Sequence, residues 1–248
     1  MVPTPSWVLR GRGKNICLVV RVTQGIDATK QSTLEYILDI VRTSVAPVLL
    51  FAAMPCTGGS PWQRLNRLKP GGPRMMMKHR KLFNDLWSNF DIICGEIQRH
   101  GHQVAIEWPR FCSYWKATKV IALLNRYGFV HAEFDGCMFN LYSRVHEGVL
   151  IKKPWRISTT SRAIHAVFND RKCSGGHKHT PCQGQDTKFT ENYTEEMVKT
   201  LHVAWQKHAR TLTRRTSGTG QFSTAPTGTQ GSEAGTLAVV AESTYSSG

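Results

Sequence analysis

Apolar residues along the chain follow two patterns, continuous runs and a helical repeat. Continuous runs occur in "NICLVVRVT" (15–23) and "PVLLFAAM" (47–54). A short run that is apolar at every position is typical of a strand buried on both faces of a parallel sheet. Between these runs lies "STLEYILDIVRTS", in which apolar residues recur every three or four positions, the spacing of an amphipathic helix. The pattern therefore predicts a strand–helix–strand unit.

The same alternation continues through the middle of the chain. It predicts a helix over about 79–99, a strand at "QVAIEW" (103–108), a helix at "YWKATKVIALLNRY" and a strand at "FVHAEFDG". Gly101 and Gly128 follow the two helices, where glycine commonly ends a helix. Shorter segments and helices near 162–169 and 195–209 complete the pattern. Strands that alternate with helices predict an α/β fold with a doubly wound, mostly parallel, Rossmann-like sheet.

Composition divides the chain into three parts. Residues 1–14 are predicted to be irregular, and residues 15–209 carry the α/β pattern. Residues 210–248 are rich in Thr, Ser, Gly and Gln, which predicts a disordered tail because such a segment cannot bury a core. No run approaches the ~20 apolar residues that span a bilayer, and the first fifteen residues lack the apolar stretch of a signal peptide.

From this we expect an intracellular protein with no membrane partner. In a reducing compartment the seven cysteines are free thiols, metal ligands or a nucleophile.

Positive charge is concentrated in one segment. The chain has 32 Lys and Arg against 17 Asp and Glu, a formal net charge of +15. Residues 64–81 contain no acidic residue, and their cations are Arg64, Arg67, Lys69, Arg74, Lys78, Arg80 and Lys81. Such a segment favours a polyanion, with nucleic acid as the first candidate, whereas a solvated face of a basic protein is the plainer alternative. We expect DNA rather than RNA, and a nuclear location.

A cysteine stands where the apolar run 47–54 ends. Cys56 is followed by Gly58 and Gly59, which permit close backbone approach. In doubly wound sheets ligands bind outside the carboxyl ends of the strands. A thiolate is a nucleophile and positive neighbours lower the pKa of a thiol, so the basic segment is expected to activate Cys56. The plainer interpretation is a small buried apolar residue.

The spacing Pro55-Cys56-x-x-x-Ser60 resembles the Pro-Cys-Gln-x-x-Ser nucleophile motif of DNA cytosine-5 methyltransferases. "VAIEWP" then places Glu107 at the end of a strand, where that family has a Glu-Asn-Val motif. The resemblance covers about residues 16–160. It implies that Cys56 attacks carbon 6 of a flipped cytosine, that Glu107 holds and protonates the ring, and that Ser60 belongs to the catalytic loop.

Weaker correspondences extend the resemblance. "EFDGCMFNLYS…IKKPWRIST" lies where the family has a Gln-x-Arg-x-Arg hairpin, and its cations are Arg144, Lys152, Lys153 and Arg156. The resemblance implies a catalytic role for Arg156, with Lys152 and Lys153 against nucleic acid. It also implies S-adenosylmethionine as the cofactor, bound by Asp27 and Pro55.

The chain also departs from the family pattern. The Phe-x-Gly-x-Gly motif for the methyl donor is absent, and Trp108 replaces the Asn that follows the glutamate. These departures imply a diverged or truncated relative. The layout is similar to methyltransferase-like reading frames carried near retroelements.

A second group of chemically active residues lies further along. Cys173, His177, His179 and Cys182 place four zinc-type ligands within ten residues, whereas a polar loop with chance Cys and His is the plainer interpretation. "PCQG" at 181–184 is closer in letters to the nucleophile motif, but no apolar strand precedes it and residue 186 is Asp.

Three functions remain open at this point. The first is a cytosine-5 methyltransferase-like enzyme. The second is a non-catalytic, mobile-element nucleic-acid-binding module, with or without zinc. The third is a hydrolase that uses the Cys56 thiol or a zinc ion in the 173–182 cluster.

Overall fold

The computed structural model describes the backbone of residues 7–10, 16–22, 26–217 and 236–242, and the side chains of residues 26–63 and 65–212. Its strands are β1 (Trp7–Arg10), β2 (Ile16–Val22), β3 (Val48–Ala53), β4 (Gln103–Pro109), β5 (Val130–Asp135), β6 (Leu150–Ile151), β7 (Pro154–Thr159), β8 (His179–Thr180) and β9 (Thr236–Glu242). Its α-helices are α1 (Gln31–Thr43), α2 (Gln63–Asn66), α3 (Gly72–Arg99), α4 (Thr118–Arg126), α5 (Arg162–Phe168), α6 (Gln185–Phe189) and α7 (Glu195–Ser217). In the described part of the chain, no helix combines the length and apolar content that a membrane span requires.

The main sheet has the order β1-β2-β9-β3-β4-β7-β5. Strands β2, β9, β3 and β4 pair in parallel, whereas β7 runs antiparallel to both β4 and β5. The prediction of a mostly parallel sheet is therefore wrong, because β3, β4, β7 and β5 form a mixed sheet. The physical reason is the connection from β5 to β7, which contains no α-helix. A parallel return needs a crossover, usually an α-helix, whereas an antiparallel return does not.

Helices cover both faces of the sheet, as the α/β prediction requires. Residues of α1, α3 and α4 form one buried cluster against the sheet, and residues of α5 and α7 form another. The predicted apolar face of α1 is buried, with Leu34, Ile37, Leu38 and Val41 in the core. Helix α3 begins at Gly72, earlier than predicted, with Pro73 in its first turn, a position that suits proline because no backbone N–H is needed there.

Two strands come from the terminal segments. β1 lies within the part predicted to be irregular, and β9, "TLAVVAE", lies within the predicted tail. Helix α7 also continues past residue 210 to Ser217. The rest of the predicted tail, residues 218–235 and 243–248, lies outside the described residues.

One buried hydrogen bond joins the carboxyl ends of β3 and β4. The indole Nε1 of Trp108 donates to the carbonyl oxygen of Met54 at 2.8 Å. The Trp108 ring packs edge-on to Trp115, with centroids 4.7 Å apart, and lies close to Phe83 and Trp87. This contact holds the segments that carry Cys56 and Glu107 next to each other.

The first prediction concerns the Trp108–Met54 hydrogen bond. Trp108→Phe leaves the buried Met54 carbonyl without a donor, whereas Trp87→Phe removes an indole N–H that has no partner among the described residues. Both changes delete similar volume from the core, but only the first breaks a hydrogen bond. We expect Trp108→Phe to lower the free energy of unfolding by roughly 1–3 kcal/mol more than Trp87→Phe. Urea denaturation measures the difference, and equal losses would contradict the role given to this bond.

Candidate active-site cavity

A cavity of about 170 Å³ opens at the carboxyl ends of β3 and β4. Its lining comes from the ends of these strands, from the start of β7 and from residues 190–193, and it includes Pro55, Cys56 and Glu107. A cavity of roughly 150 Å³ accommodates a benzene molecule. The cavity is therefore large enough for a single six-membered ring such as a pyrimidine.

The loop after β3 reaches the cavity through a tight turn. Residues Thr57–Gly59 form a 3-10 turn, and the Gly59 N–H donates to the Cys56 carbonyl at 2.9 Å. A Cβ atom on Gly58 would overlap the Tyr114 hydroxyl, and one on Gly59 would lie 2.6 Å from the Cys112 sulfur. The two glycines thus allow close packing of the loop on its own domain.

Glu107 is buried at the end of β4. Its Oε2 accepts a hydrogen bond of 2.6 Å from the Tyr193 hydroxyl, whereas its Oε1 has no hydrogen-bond partner among the described residues. Burial raises the pKa of this carboxyl, although the Tyr193 hydrogen bond and the charge of Lys153 oppose the effect. The direction of this shift is the one that ring protonation by Glu107, as the resemblance implies, requires.

Cys56 is half-buried in the same cavity, and its electrostatics differ from the expectation. Burial raises the pKa of the thiol to about 11, the Glu107 charge adds to this, and Lys153 opposes it. The prediction that the basic segment lowers this pKa is therefore wrong. The reason is that removal from water and a neighbouring carboxyl group outweigh the positive charge near the thiol.

Lys153 is the cation that lines the cavity among the described residues. Its Nζ donates to the Thr190 carbonyl at 2.5 Å and lies 5.1 Å from the centroid of the Trp155 ring. The neighbouring Lys152 is exposed and points elsewhere, with Nζ 3.4 Å from the Cys173 carbonyl. Consecutive residues thus face two different sites.

The other predicted active-site residues do not line the cavity. Arg156 pairs with Glu133 at 2.5 Å, and its guanidinium lies 5.4 Å from the centroid of the Trp115 ring. Ser60 accepts a long hydrogen bond of 3.4 Å from the Trp62 N–H. The predicted donor-site residue Asp27 is exposed, and its carboxylate accepts from the backbone and hydroxyl of Thr29 within its own turn.

Sequence reasoning missed Tyr193 and Trp155, although both line the cavity. Tyr193 lies 86 positions after Glu107, and no local pattern marks it. The hydroxyl of its neighbour Thr194 accepts a hydrogen bond from the Met197 N–H at 3.2 Å. That cap fixes where helix α7 begins, directly after the tyrosine that contacts Glu107.

The basic segment lies on the surface. We call residues 62–81 the basic arm; its cations with described side chains, Arg67, Lys69, Arg74, Lys78, Arg80 and Lys81, are all exposed. The side chain of Arg64 lies outside the described residues. Large apolar side chains are exposed among these cations, including Trp62, Leu65 and Leu68. Lys81 pairs with Asp85 at 2.7 Å, and Arg144, further along the chain, lies over the Phe189 ring.

Four potential metal ligands converge beside the end of β5. One ligand atom each from Cys137, Cys173, His177 and His179 lies within 4.8 Å of all the others. This Cys2His2 cluster could hold a metal ion such as zinc. Cys182, predicted as the fourth ligand, does not belong to it, because its sulfur lies 3.1 Å from the Thr190 hydroxyl. The fourth ligand is instead Cys137, which lies in the turn after β5. The spacing of residues 173–182 could not identify it, because it lies far from them in the sequence.

Comparison of the chain with protein-family models, with curated proteins and with solved structures finds no match in any of the three. The features of the chain that bear on its function are therefore the cavity, the basic arm and the Cys/His cluster.

The second prediction concerns the pH dependence of stability. The folded state raises the Glu107 pKa above its ordinary value of 4.5, so the folded protein binds more protons than the unfolded chain just above that pH. Stability contributed by this group is complete below pH ~4.5 and is lost as pH rises through the folded-state pKa, with a slope of up to about 1.4 kcal/mol per pH unit. Glu107→Gln removes this loss, so the variant gains stability relative to wild type as pH rises.

Urea unfolding between pH 4 and 8 measures this difference, and Glu133→Gln is the matched control. Burial alone would raise the pKa of Glu133, but the hydrogen bond and charge of Arg156 outweigh burial and lower it. Replacing Glu133 by glutamine should therefore destabilise the protein at neutral pH, whereas Glu107→Gln should stabilise it. Parallel stability curves for wild type and Glu107→Gln would contradict the electrostatic assignment.

Proposed function

We propose that the chain is a diverged DNA cytosine-5 methyltransferase-like domain. In this proposal the cavity binds a cytosine that has turned out of the duplex, Cys56 is the nucleophile and Glu107 holds the ring. The observation that supports it most is the meeting of a thiol and a buried carboxyl in one ring-sized cavity at the ends of adjacent parallel strands. Chemistry on a base within a duplex requires such extrusion, because the target atom is not accessible inside the stack.

Glu107 has the properties needed to select cytosine. A carboxyl with a raised pKa holds its proton to a higher pH, and in its protonated form it can donate a hydrogen bond from Oε1, the oxygen with no partner among the described residues. Cytosine N3 accepts such a hydrogen bond. Thymine and uracil carry an N3–H at this position, so two donors would face each other. Buried polar groups left unpaired in this way give strong discrimination.

The addition step balances within the cavity. Attack by sulfur forms an S–C6 bond and opens the C5=C6 π bond, while N3 takes the proton from Glu107. The thiol of Cys56 holds its own proton at neutral pH because its pKa is about 11. That proton restores the Glu107 carboxyl, so the net change is movement of the thiol proton to N3. Nucleophilic addition of this kind prepares C5 for substitution.

The resemblance implies S-adenosylmethionine, which would supply the methyl group when bound. The described residues do not fit a site for it. The Asp27 carboxylate is engaged by Thr29, and Gly58 and Gly59 pack against Tyr114 and Cys112. Residues 23–25, directly after β2, lie outside the described residues.

A second candidate is a non-catalytic nucleic-acid-binding module of a mobile element. The exposed cations of the basic arm support it. Trp62, with 59% of its surface exposed, offers a ring on which a base can stack. Binding through such a surface should weaken steeply as salt increases, because it releases counterions from the phosphates.

The third prediction tests the two functions together. With a cytosine-rich duplex tritiated at C5, we expect Cys56→Ser to reduce the release of tritium to water at least about 1000-fold, since this exchange follows addition to C6 and a serine hydroxyl is a far weaker nucleophile. Cys182→Ser is the matched control and should retain the rate within about twofold, because serine can keep the contact with Thr190.

Equal rates for wild type and Cys56→Ser would overturn the assignment of the nucleophile. A wild-type protein that binds duplex in a salt-dependent way but exchanges no C5 hydrogen would replace the first function with the second.

A further inference from the structure

Within the cluster of Cys137, Cys173, His177 and His179, the Cys173 sulfur lies at metal-site distances from both imidazoles. The Cys173 sulfur lies 3.6 Å from the Nε2 of His177 and 3.5 Å from the Nε2 of His179. With Zn–S near 2.3 Å and Zn–N near 2.05 Å, a tetrahedron separates sulfur from nitrogen by about 3.6 Å. Both imidazoles thus lie at the separation that shared coordination of one zinc ion requires.

The ligand set also selects the metal. Two sulfur and two nitrogen donors in a tetrahedron suit zinc. Four protein ligands leave no position open for water, which is typical of a structural rather than a catalytic site. Both cysteines are free thiols in the structure and so are available to a metal.

The surroundings of Cys173 fit its role as a thiolate ligand. The Gly175 N–H donates to the Cys173 sulfur at 3.3 Å, a contact that orients the side chain. Gly175 has φ = +96°, a conformation that glycine adopts readily and other residues avoid. The Cys173 N–H in turn donates to the buried Asp135 carboxylate at 2.9 Å, which fixes the loop to the end of β5. Partners of this kind orient metal ligands.

The loop that carries these residues is held by polar contacts, such as the Cys173–Asp135 hydrogen bond and the Lys172–Glu133 ion pair, rather than by apolar packing. Most residues between 171 and 178 are exposed, including His177. The loop contributes no residue to either buried apolar cluster. Cys137, by contrast, is buried in the turn after β5. A metal ion bound by Cys137 and by the loop would join the exposed loop to the end of the sheet, where no apolar packing connects them.

We propose that Cys137, Cys173, His177 and His179 bind one structural zinc ion. The ion fastens the 171–180 loop to the end of β5. That loop leads into β8, which pairs with β6, and β6 is followed directly by Lys152 and by Lys153 of the cavity. The zinc site therefore stabilises the segment that places Lys153 in the wall of the cavity. It does not depend on the proposed methyl transfer.

Metal analysis of the purified protein tests the proposal. We expect about one zinc per chain and a fall in thermal stability on chelation, because binding free energy at a structural site contributes to folding. Cobalt substitution should give the absorption spectrum of a tetrahedral site with thiolate ligands. Cys137→Ser and His177→Ala should each weaken zinc binding at least about 100-fold, and Cys182→Ser should leave it unchanged.

His177 is exposed, so His177→Ala tests the site even where Cys137→Ser fails to fold. Loss of zinc in Cys182→Ser with retention in His177→Ala would overturn the ligand assignment. A metal-free protein that takes up neither zinc nor cobalt, or one with a Cys137–Cys173 disulfide, would overturn the site itself.

Discussion

The buried hydrogen bond from the Trp108 indole to the Met54 carbonyl is the contact on which the candidate site depends. It links the carboxyl ends of β3 and β4 just before Pro55 on one strand and just after Glu107 on the other. Without it, two parallel strands would still pair, but the loops that leave them would be free to separate. Trp108 thus brings the thiol of Cys56 and the carboxyl of Glu107 to one cavity through a packed aromatic group.

Burial sets the chemistry of the cavity. It raises the pKa of both Cys56 and Glu107, and each group in its charged form disfavours ionisation of the other. Lys153, placed by its bond to the Thr190 carbonyl, opposes the rise in the Cys56 pKa. The basic arm presents exposed cations at the surface, whereas the cavity is large enough for one ring.

Local patterns predicted the parts of the fold that depend on local physics. The apolar repeat of α1 and the continuous apolar runs of β3 and β4 identified elements whose periodicity reflects burial directly. Contacts between segments that are distant in the sequence cannot be predicted from such patterns. The antiparallel placement of β7, the approach of Tyr193 to Glu107 and the replacement of Cys182 by Cys137 all depend on how segments return in space. Cys56 and Glu107 were found together only because a resemblance supplied the long-range pairing that periodicity lacks.

The most direct test of this account is the rate at which an alkylating reagent modifies Cys56, located by mass spectrometry in the presence of saturating duplex. One duplex carries a mispaired cytosine, which is easily extruded, and the other carries thymine at the same position. The account predicts that cytosine slows modification of Cys56 at least about tenfold more than thymine does, because only cytosine accepts a hydrogen bond from protonated Glu107. Equal rates with the two duplexes would contradict a cytosine-binding cavity.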